Sequence, residues 1–328
     1  MGFTFIHAAD LHIDSPLAGL RLKDEDVAQR FANAGRRAVE ALIAETIASK
    51  AAFLIISGDV FDGDWKDVNT GLFFVRAISE LHRAGIPVFM VKGNHDAESL
   101  MSRDLDYPDT VKVFRSDKAE TVTIDAYRVA LHGRSFPTRL TGEFVGTYPA
   151  RRDGWLNVGV LHTSLDGTRG HIGYAPCTVD DLKRFGYDYW ALGHIHAAEI
   201  VSSDPWIVFP GNLQGRSVRE TGARGAMRVT VEDGRIVDVT PVPLDVARWA
   251  QLTVDVASAD READVIARIA AELAGVHAQS EGRPLAVRVT LVGATALHNH
   301  LVARRDLLQD DVRASGFQLA ADCWVEQL

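Results

Sequence analysis

Apolar runs and polar tips alternate three times near the start of the sequence. The apolar runs occupy residues 3–9, 53–57 and 87–91, and each ends in polar residues. Between them, residues 27–49 and 68–84 place apolar side chains at helical spacing, as at Leu72, Val75, Ile78 and Leu81. This order of strand, polar tip and helix is typical of an α/β domain. Unbroken apolar runs such as Phe-Leu-Ile-Ile predict strands that are covered on both faces.

The middle of the chain predicts a second sheet. Short apolar segments with few helices between them occupy residues 111–114, 121–124, 127–132, 156–161, 189–192 and 206–209. Thr178 and Asp181 have the spacing of a capping box, which predicts one short helix. Residues 225–231 and 235–239 predict a hairpin with Asp233-Gly234 at its turn. Prolines at positions 241 and 243 interrupt the pattern that follows.

The pattern restarts at about residue 245. It predicts a small α+β module with strands at residues 252–256, 285–291 and 319–325 and helices at residues 261–273 and 297–314. A chain of 328 residues is long enough for about two domains of ordinary size. We therefore expect a large domain over residues 1–244 and a small accessory domain over residues 245–328.

Composition narrows the class of protein. Hydrophobic residues make up 47% of the chain and charged residues 24%, as in ordinary globular proteins. No run of apolar residues is long enough to span a membrane, and His7, Asp10 and His12 interrupt the first apolar stretch. We therefore expect a cytoplasmic protein without a membrane span or a signal peptide. Cys177 and Cys323 each lack a second cysteine nearby in sequence and are expected to be inert thiols.

The charge balance bears on the substrate. The chain has 35 basic and 44 acidic residues, for a formal net charge of −9. This balance argues against a protein that coats nucleic acid by bulk electrostatic attraction. A local basic groove is still compatible with it.

Residue types that bind metal ions follow the predicted strands. They are Asp10, His12, Asp59, Asn94, His95, His162, His194 and His196. In open α/β sheets, sites lie outside the carboxyl ends of the strands, so these separate segments are expected to meet in one crevice. A set of His, Asp and Asn without Cys suits Mn, Fe or Zn and is less suited to structural zinc.

The number of candidate ligands indicates two ions. Two ions about 3.5–4 Å apart would use seven of these residues and would provide a nucleophile from water at neutral pH. Such ions also neutralise charge on phosphoryl oxygens, so the implied reaction is phosphoester hydrolysis. An imidazole that binds no ion can assist the departing oxygen, and His95 is the candidate for this role.

Five short motifs carry a resemblance to a known family. They are D-x-H at residues 10–12, GDVFD at 58–62, GNHD at 93–96, His162 after an apolar strand, and GHIH at 193–196. In this order they resemble the calcineurin-like metallophosphoesterase superfamily. LHTSLDG at 161–167, YAPC at 174–177 and PGNLQGR at 210–216 are similar to its DNA-repair exonuclease branch, the SbcD and YhaO type.

The resemblance implies a fold and a set of ligands. The fold is α/β with four layers, in which two facing mixed β-sheets are flanked by helices, and a small capping domain follows in the nuclease branch. One ion would be held by Asp10, His12, Asp59 and His196, and the other by Asp59, Asn94, His162 and His194. Asp59 would bridge the two ions. His95 would protonate or orient the leaving group with Asp62 as its partner, and Asp96 competes with Asp62 for that role.

The resemblance also implies a function. We expect a dinuclear metal-dependent phosphodiesterase that acts on DNA, as an exonuclease in repair or end processing, with metal-activated hydroxide attacking the phosphodiester. Mn²⁺ is the expected ion, with Fe²⁺, Zn²⁺ and Mg²⁺ as alternatives. Candidates for substrate contacts are Arg216, Arg219 and Arg224, because phosphate contacts require placed basic side chains, and also His171.

Partners and rival functions stay open at this point. Nuclease subunits of this branch commonly continue into a segment that docks on a Rad50-like or SMC-like ATPase, whereas this sequence stops at Leu328. That partner and a homodimer are both left open. The acidic balance favours a rival, a phosphodiesterase or phosphatase for a small nucleotide or another phosphoester. A second rival is a platform for DNA ends that does not catalyse, which the complete motifs count against.

Overall fold

The computed structural model describes residues 2–15, 31, 33–62, 67–98, 105–138, 142–167 and 173–328. The chain forms two compact units. The first unit combines Met1–Ser15, Gly35–Gln214 and Arg224–Leu244, and the second includes Gly215–Ala223 and Asp245–Leu328. Among the described residues, no helix has both the length and the apolar character that crossing a membrane requires.

The first unit contains two six-stranded mixed sheets. In chain order the strands are β1 (Phe3–Ala8), β2 (Leu54–Ser57), β3 (Val88–Val91), β4 (Val111–Val113), β5 (Glu120–Ile124), β6 (Val129–Gly133), β7 (Leu156–His162), β8 (Tyr189–Gly193), β9 (Glu199–Ser203), β10 (Trp206–Phe209), β11 (Gly225–Glu232) and β12 (Arg235–Pro243). The sheet orders are β12-β11-β1-β2-β3-β4 and β5-β6-β7-β8-β10-β9. The strands β1 to β4 pair in parallel, as do β6, β7 and β8, so their carboxyl ends point the same way within each sheet.

Helices follow the strands of the first unit. They are α1 (Ala34–Ala48), α2 (Val68–Arg83), α3 (Asn94–Glu98) and α4 (Val179–Phe185). Asp67 caps α2 by accepting a hydrogen bond from the Asn69 N–H. The predicted capping box is confirmed, because the Thr178 and Asp181 side chains each accept from the other residue's backbone N–H at the start of α4.

Alternate side chains of the central strands enter different hydrophobic layers. In β2, Leu54 and Ile56 pack in a cluster that contains Leu42 of α1 and Ile78 of α2. Ile55, on the opposite face, packs in a second cluster with residues of the other sheet such as Val158. A third cluster joins the outer face of the second sheet to α4. The order helix, sheet, sheet, helix confirms the predicted four-layer fold.

The second unit contains a parallel three-stranded sheet in the order β13-β14-β15. Its elements are β13 (Arg248–Asp255), α5 (Glu262–Ala278), β14 (Leu285–Val292), α6 (His298–Ala303), α7 (Arg305–Leu319) and β15 (Cys323–Gln327). Val265, Ile269 and Leu273 of α5 repeat at helical spacing and are buried against the sheet in one hydrophobic cluster.

Two expectations about element boundaries need correction. The last strand begins at Cys323 and not near residue 319, because buried Leu308, Val312 and Gly316 continue the helical period and α7 extends to Leu319. Pro241 and Pro243 do not interrupt the hairpin but lie within β12. This strand is at the edge of its sheet, where a missing backbone N–H costs no ladder hydrogen bond.

Candidate metal centre

The predicted ligands meet at the carboxyl ends of strands from both sheets. Asp10 and His12 follow β1, Asp59 follows β2, and Asn94 follows β3. From the second sheet come His162 at the end of β7 and, after β8, His194 and His196. Six of these seven side chains are buried, and His196 is half-buried. The convergence of these side chains that the strand pattern predicts is therefore present, and it involves strand ends from both sheets.

One group of side chains consists of Asp10, His12 and His196. Each offers a ligand atom, and these atoms lie within 4.8 Å of one another. The Nε2 atoms of His12 and His196 are 3.3 Å apart. Asp10 also accepts a hydrogen bond from the His194 backbone N–H at 2.9 Å, which ties the end of β1 to the loop after β8.

A second group consists of Asp59, His162 and His194, again with ligand atoms within 4.8 Å of one another. Asn94 joins it, because its Oδ1 lies 3.0 Å from His162 Nε2 and 3.2 Å from His194 Nδ1. Asp59 Oδ2 lies 3.3 Å from His162 Nε2 in this group and 3.9 Å from His12 Nε2 in the first. Asp59 therefore stands between the two groups.

The backbone of the site is held in an uncommon conformation. Asp10, His12, Asp59 and His194 all have φ in the left-handed region, at 51°, 41°, 53° and 99°. Residues other than glycine adopt this region rarely, and strained positions of this kind concentrate at functional sites. The surrounding fold therefore maintains a geometry that aims these four side chains inward.

Glycines in the motifs make room for the ligands. A Cβ atom at Gly93 would lie 2.2 Å from Asp59 Oδ1, and one at Gly58 would lie 2.5 Å from His162 Nδ1. At Gly193 a Cβ would lie 2.0 Å from the carbonyl oxygen of Ser57. These contacts explain why each of the three motifs that begins with glycine needs it.

Burial and neighbouring charges shift the pKa values of Asp59 and His162 in opposite directions. Burial raises the pKa of Asp59, but the His162, His12 and His95 rings outweigh burial and hold that pKa well below its usual range. Burial lowers the pKa of His162, but the Asp59 carboxylate reverses this and raises the pKa to about 9. The site thus favours a cation beside Asp59, and a metal ion that binds His162 would release a proton.

Asp62 and His95 lie beside the first group. Asp62 Oδ1 is 2.6 Å from His12 Nδ1 and 3.8 Å from His95 Nδ1. The His95 backbone N–H donates to Asp59 Oδ1 at 2.9 Å, and its side chain is 34% exposed. Asp62 therefore contacts a predicted ligand as well as the predicted acid, a relationship that the motif spacing does not reveal.

Asp96, the alternative to Asp62 as the partner of His95, is bound to backbone groups of two loops. Its buried carboxylate accepts backbone hydrogen bonds from Val60, Phe61 and Gly93 at 3.0–3.2 Å. Burial, together with the charge of Asp59, raises its pKa to about 6. Asp96 therefore joins the GDVFD and GNHD loops to each other.

The predicted substrate contacts are spread over different environments. Arg216 directs its backbone N–H and its guanidinium to Glu220. Arg224 donates to the carbonyl oxygen of His196 and, at 3.0 Å, to Asn212 Oδ1. Arg219 is exposed and forms no ion pair within the described part of the chain. His171 lies outside the described residues.

The sequence interpretation missed the supporting role of the PGNLQG loop. Asn212 is fully buried, and its backbone N–H donates to the His196 carbonyl oxygen at 3.2 Å. The Leu213 N–H donates to the Asp10 carbonyl oxygen at 3.4 Å. The sequence could have indicated these contacts only through the short separation between the GHIH motif at residues 193–196 and the PGNLQG motif at 210–215.

Comparison with known proteins gives two matches to families. Residues 3–198 match the calcineurin-like phosphoesterase family, and residues 249–328 match the middle domain of the metallophosphoesterase YhaO. The chain is 32% identical over 295 residues to an uncharacterized metallophosphoesterase YhaO of Bacillus subtilis, covering 88% of this chain and 72% of that protein.

Two proteins described as the DNA double-strand break repair protein Mre11 are also similar. The protein of Aeropyrum pernix is 27% identical over 264 residues, covering 73% of this chain and 60% of its own. The protein of Methanopyrus kandleri is 26% identical over 277 residues, covering 74% and 57%. The chain thus spans less than two thirds of each Mre11 protein.

Among solved structures, a Thermus thermophilus protein has a TM-score of 0.41 at 10% identity, and a dimetal phosphatase from Danio rerio has 0.41 at 13%. Each comparison covers 74% of this chain and 99% of the other chain.

Proposed function

The chain belongs to the calcineurin-like phosphoesterase family, a family of metal-dependent phosphoester hydrolases with two divalent ions, and on that premise we propose that it is a phosphodiesterase that processes DNA ends as an exonuclease. The observation that carries the proposal is the convergence of six His, Asp and Asn side chains around Asp59, with His95 beside them.

The donor set fits two ions. The group of Asp10, His12 and His196 would hold one ion, and the group of Asn94, His162 and His194 would hold the other, with Asp59 contacting both. Nitrogen and carboxylate oxygen donors without thiolates suit Mn²⁺, which we propose as the resident ion. When bound, two such ions neutralise phosphoryl charge and provide a water-derived nucleophile near neutral pH.

The residues of the chain contribute position and proton transfer. We propose that His95, which reaches the surface of the site, gives a proton to the departing oxygen. The carboxylate of Asp62, 3.8 Å from the His95 ring, stabilises the protonated imidazole. Through its 2.6 Å contact with His12 Nδ1, the same carboxylate orients the ligand nitrogen on the other side of that ring.

DNA as the substrate is supported by the similarity to the two Mre11 proteins. The Mre11 proteins named above are described as DNA double-strand break repair proteins, and residues 249–328 match the middle domain of YhaO. We propose that residues 1–244 form the catalytic domain and that residues 245–328 form a capping domain. Arg219 is our candidate for a phosphate contact, and a Rad50-like ATPase is the proposed partner.

A small nucleotide or another small phosphoester is the second candidate substrate. The formal charge of −9 favours it, because a strongly acidic chain repels a polyanion at long range. This candidate has the same metal chemistry, so the two functions differ only in the substrate that is hydrolysed efficiently.

Hydrolysis of an end-labelled linear duplex tests the proposal. The purified protein is assayed with Mn²⁺, with Mg²⁺ and without metal, beside the Asp59→Ala variant and with bis(p-nitrophenyl) phosphate and a cyclic nucleotide as small substrates. We expect Mn²⁺-dependent shortening of the duplex that the variant lacks. An intact duplex together with a cleaved small phosphodiester would transfer the assignment to the second candidate.

A further inference from the structure

The first unit has a groove at the end of its sheets opposite the metal centre. Two adjoining cavities of about 580 and 410 Å³ share Arg151, Leu156, Asp188, Gly234 and Arg235. Leu156 begins β7, and His162 of the metal centre ends it. Six residues of strand span about 20 Å, which separates Leu156 from His162. We call the joined cavities the amino-end groove, which is therefore distinct from the metal centre.

The amino-end groove has a small excess of basic over acidic side chains, although the chain as a whole is acidic. Four basic residues line it, namely Arg128, Arg151, Lys183 and Arg235, against three acidic ones, Asp188, Asp204 and Asp233. Within the described ranges, Arg128, Lys183 and Arg235 form no ion pair. Asp188 already accepts a hydrogen bond from the Asn157 N–H at 2.7 Å. Three cationic groups are therefore available to an anionic ligand.

The position of Arg128 is informative. It ends a short 3₁₀ turn with φ at 53°, in the left-handed region where glycine or asparagine is favoured. Its side chain is exposed, so packing does not explain why an arginine stands there. Because its exposed guanidinium lines the groove, Arg128 can reach a ligand bound there.

Aromatic rings line the groove together with the basic groups. Tyr127, Trp155 and Trp206 line the groove, and all three are partly buried. The Arg152 guanidinium lies over the Trp155 ring at 4.0 Å from its centroid, and the Tyr127 ring packs 4.7 Å from that of Phe3. Rings that are held in place in a cavity that also exposes guanidinium groups match a ligand with both a planar base and a phosphate.

We propose that the amino-end groove binds a nucleotide unit without hydrolysing it. The phosphate contacts Arg128 and Arg235, and the base packs against the aromatic rings. The nucleotide comes from one of two sources, a free nucleotide or a single-stranded nucleic acid. This inference does not rest on the proposed function, because the groove shares no residue with the metal centre.

Charge reversal tests the groove. The variant Arg128→Glu/Arg235→Glu is compared with Arg76→Glu/Arg83→Glu, which makes the same change in net charge on the exposed surface of α2 in the same unit. Binding of AMP and of a fluorescein-labelled oligothymidylate is measured with a chelator present, so that hydrolysis plays no part. Thermal midpoints of both variants verify folding, and the single variant Arg235→Gln provides a milder second test.

We expect the groove variant to weaken binding about tenfold or more and the α2 variant to leave it nearly unchanged. For the oligothymidylate, loss of two phosphate contacts should reduce the slope of log affinity against log salt by about 1.4. A loss seen with both probes identifies a free nucleotide as a sufficient ligand, and a loss seen only with the oligothymidylate identifies single-stranded nucleic acid. The proposal is overturned if neither probe saturates the wild-type protein or if both variants weaken binding equally.

Discussion

Oδ1 of Asp62 lies 2.6 Å from Nδ1 of His12, so a carboxylate from the GDVFD motif sets the orientation of a predicted metal ligand that lies 50 residues earlier. A carboxylate behind a ligating imidazole fixes the ring and raises its basicity. Asp62 therefore has a structural reason to affect metal binding as well as the chemistry at His95.

The Asp62→Asn substitution should separate these roles. We expect Mn²⁺ affinity, measured by calorimetry, to fall about 10- to 100-fold, because the amide supports the His12 ring less strongly. Asp117→Asn, in an exposed ion pair with Arg115, is the matched control and should bind Mn²⁺ normally. Unchanged affinity together with a lower kcat would assign Asp62 to His95 alone.

His95→Ala should keep both ions and lose most hydrolysis. Loss of a general acid lowers rates by about 10²- to 10⁴-fold. Asp59→Ala should lose both metal and activity, because Asp59 contacts both ligand groups. Elemental analysis of each protein, alongside hydrolysis of bis(p-nitrophenyl) phosphate, checks both variants. Equal loss of metal from the two would contradict the role given to His95.

Gly93→Ala should disrupt the metal centre by steric pressure alone. The added Cβ would lie 2.2 Å from Asp59 Oδ1 and 2.8 Å from His162 Cε1. We expect loss of bound metal and a lower thermal midpoint. Gly275→Ala in α5 is the control, since a Cβ there meets nothing within 4 Å and should stabilise the helix by about 0.5–1 kcal/mol. Normal metal content in Gly93→Ala would show that the loops adjust freely.

Arg224 and Arg219 should differ in what they affect. Arg224→Ala removes the hydrogen bond to the His196 carbonyl oxygen and should weaken metal binding. Arg219→Ala should leave metal binding intact and weaken DNA binding, with a salt slope reduced by about 0.9 for a duplex. Metal titration and DNA anisotropy on the same two proteins check this division. If the salt slope is unchanged in Arg219→Ala, Arg219 does not contact the DNA phosphates.

His7 should make folding stability fall at acidic pH. Burial lowers the pKa of His7 to about 3, although the Leu192 carbonyl acts in the opposite direction. Between about pH 6.5 and 3 the unfolded chain binds a proton that the folded chain excludes, so the free energy of unfolding decreases as pH falls. The effect is on the order of several kcal/mol at the lower end of this window.

Urea unfolding across this pH range measures the effect. His7→Gln should be less stable overall and show a shallower decrease, whereas the exposed His82→Gln should keep the wild-type slope. If the free energy of unfolding falls with pH at the same rate in the wild type and both variants, His7 does not cause the acid destabilisation.

Local pattern was enough to predict two sheets and the types of side chain that meet at the strand ends, whereas the four-layer order was implied by the family resemblance. An apolar run such as that of β2 has both faces covered only between two layers, and strand ends on one edge converge by geometry. The capping box of α4 was predictable for the same reason, because its two partners lie within one helical turn. For this cap the physical cause and its effect lie close together along the chain, so the amino-acid sequence was sufficient.

Contacts between distant segments required the folded molecule. Three contacts join groups that are 28 to 50 residues apart in the chain: the Asp62 carboxylate with the His12 ring, the Asp96 carboxylate with the Val60 backbone N–H, and the Arg224 guanidinium with the His196 carbonyl oxygen. Their rotamers are set by packing and by competing acceptors. The amino-end groove is a further case, because Arg128 and Arg235 come from separate parts of the chain. Spacing along a chain determines which face a side chain occupies, but only the tertiary arrangement determines which partner it meets.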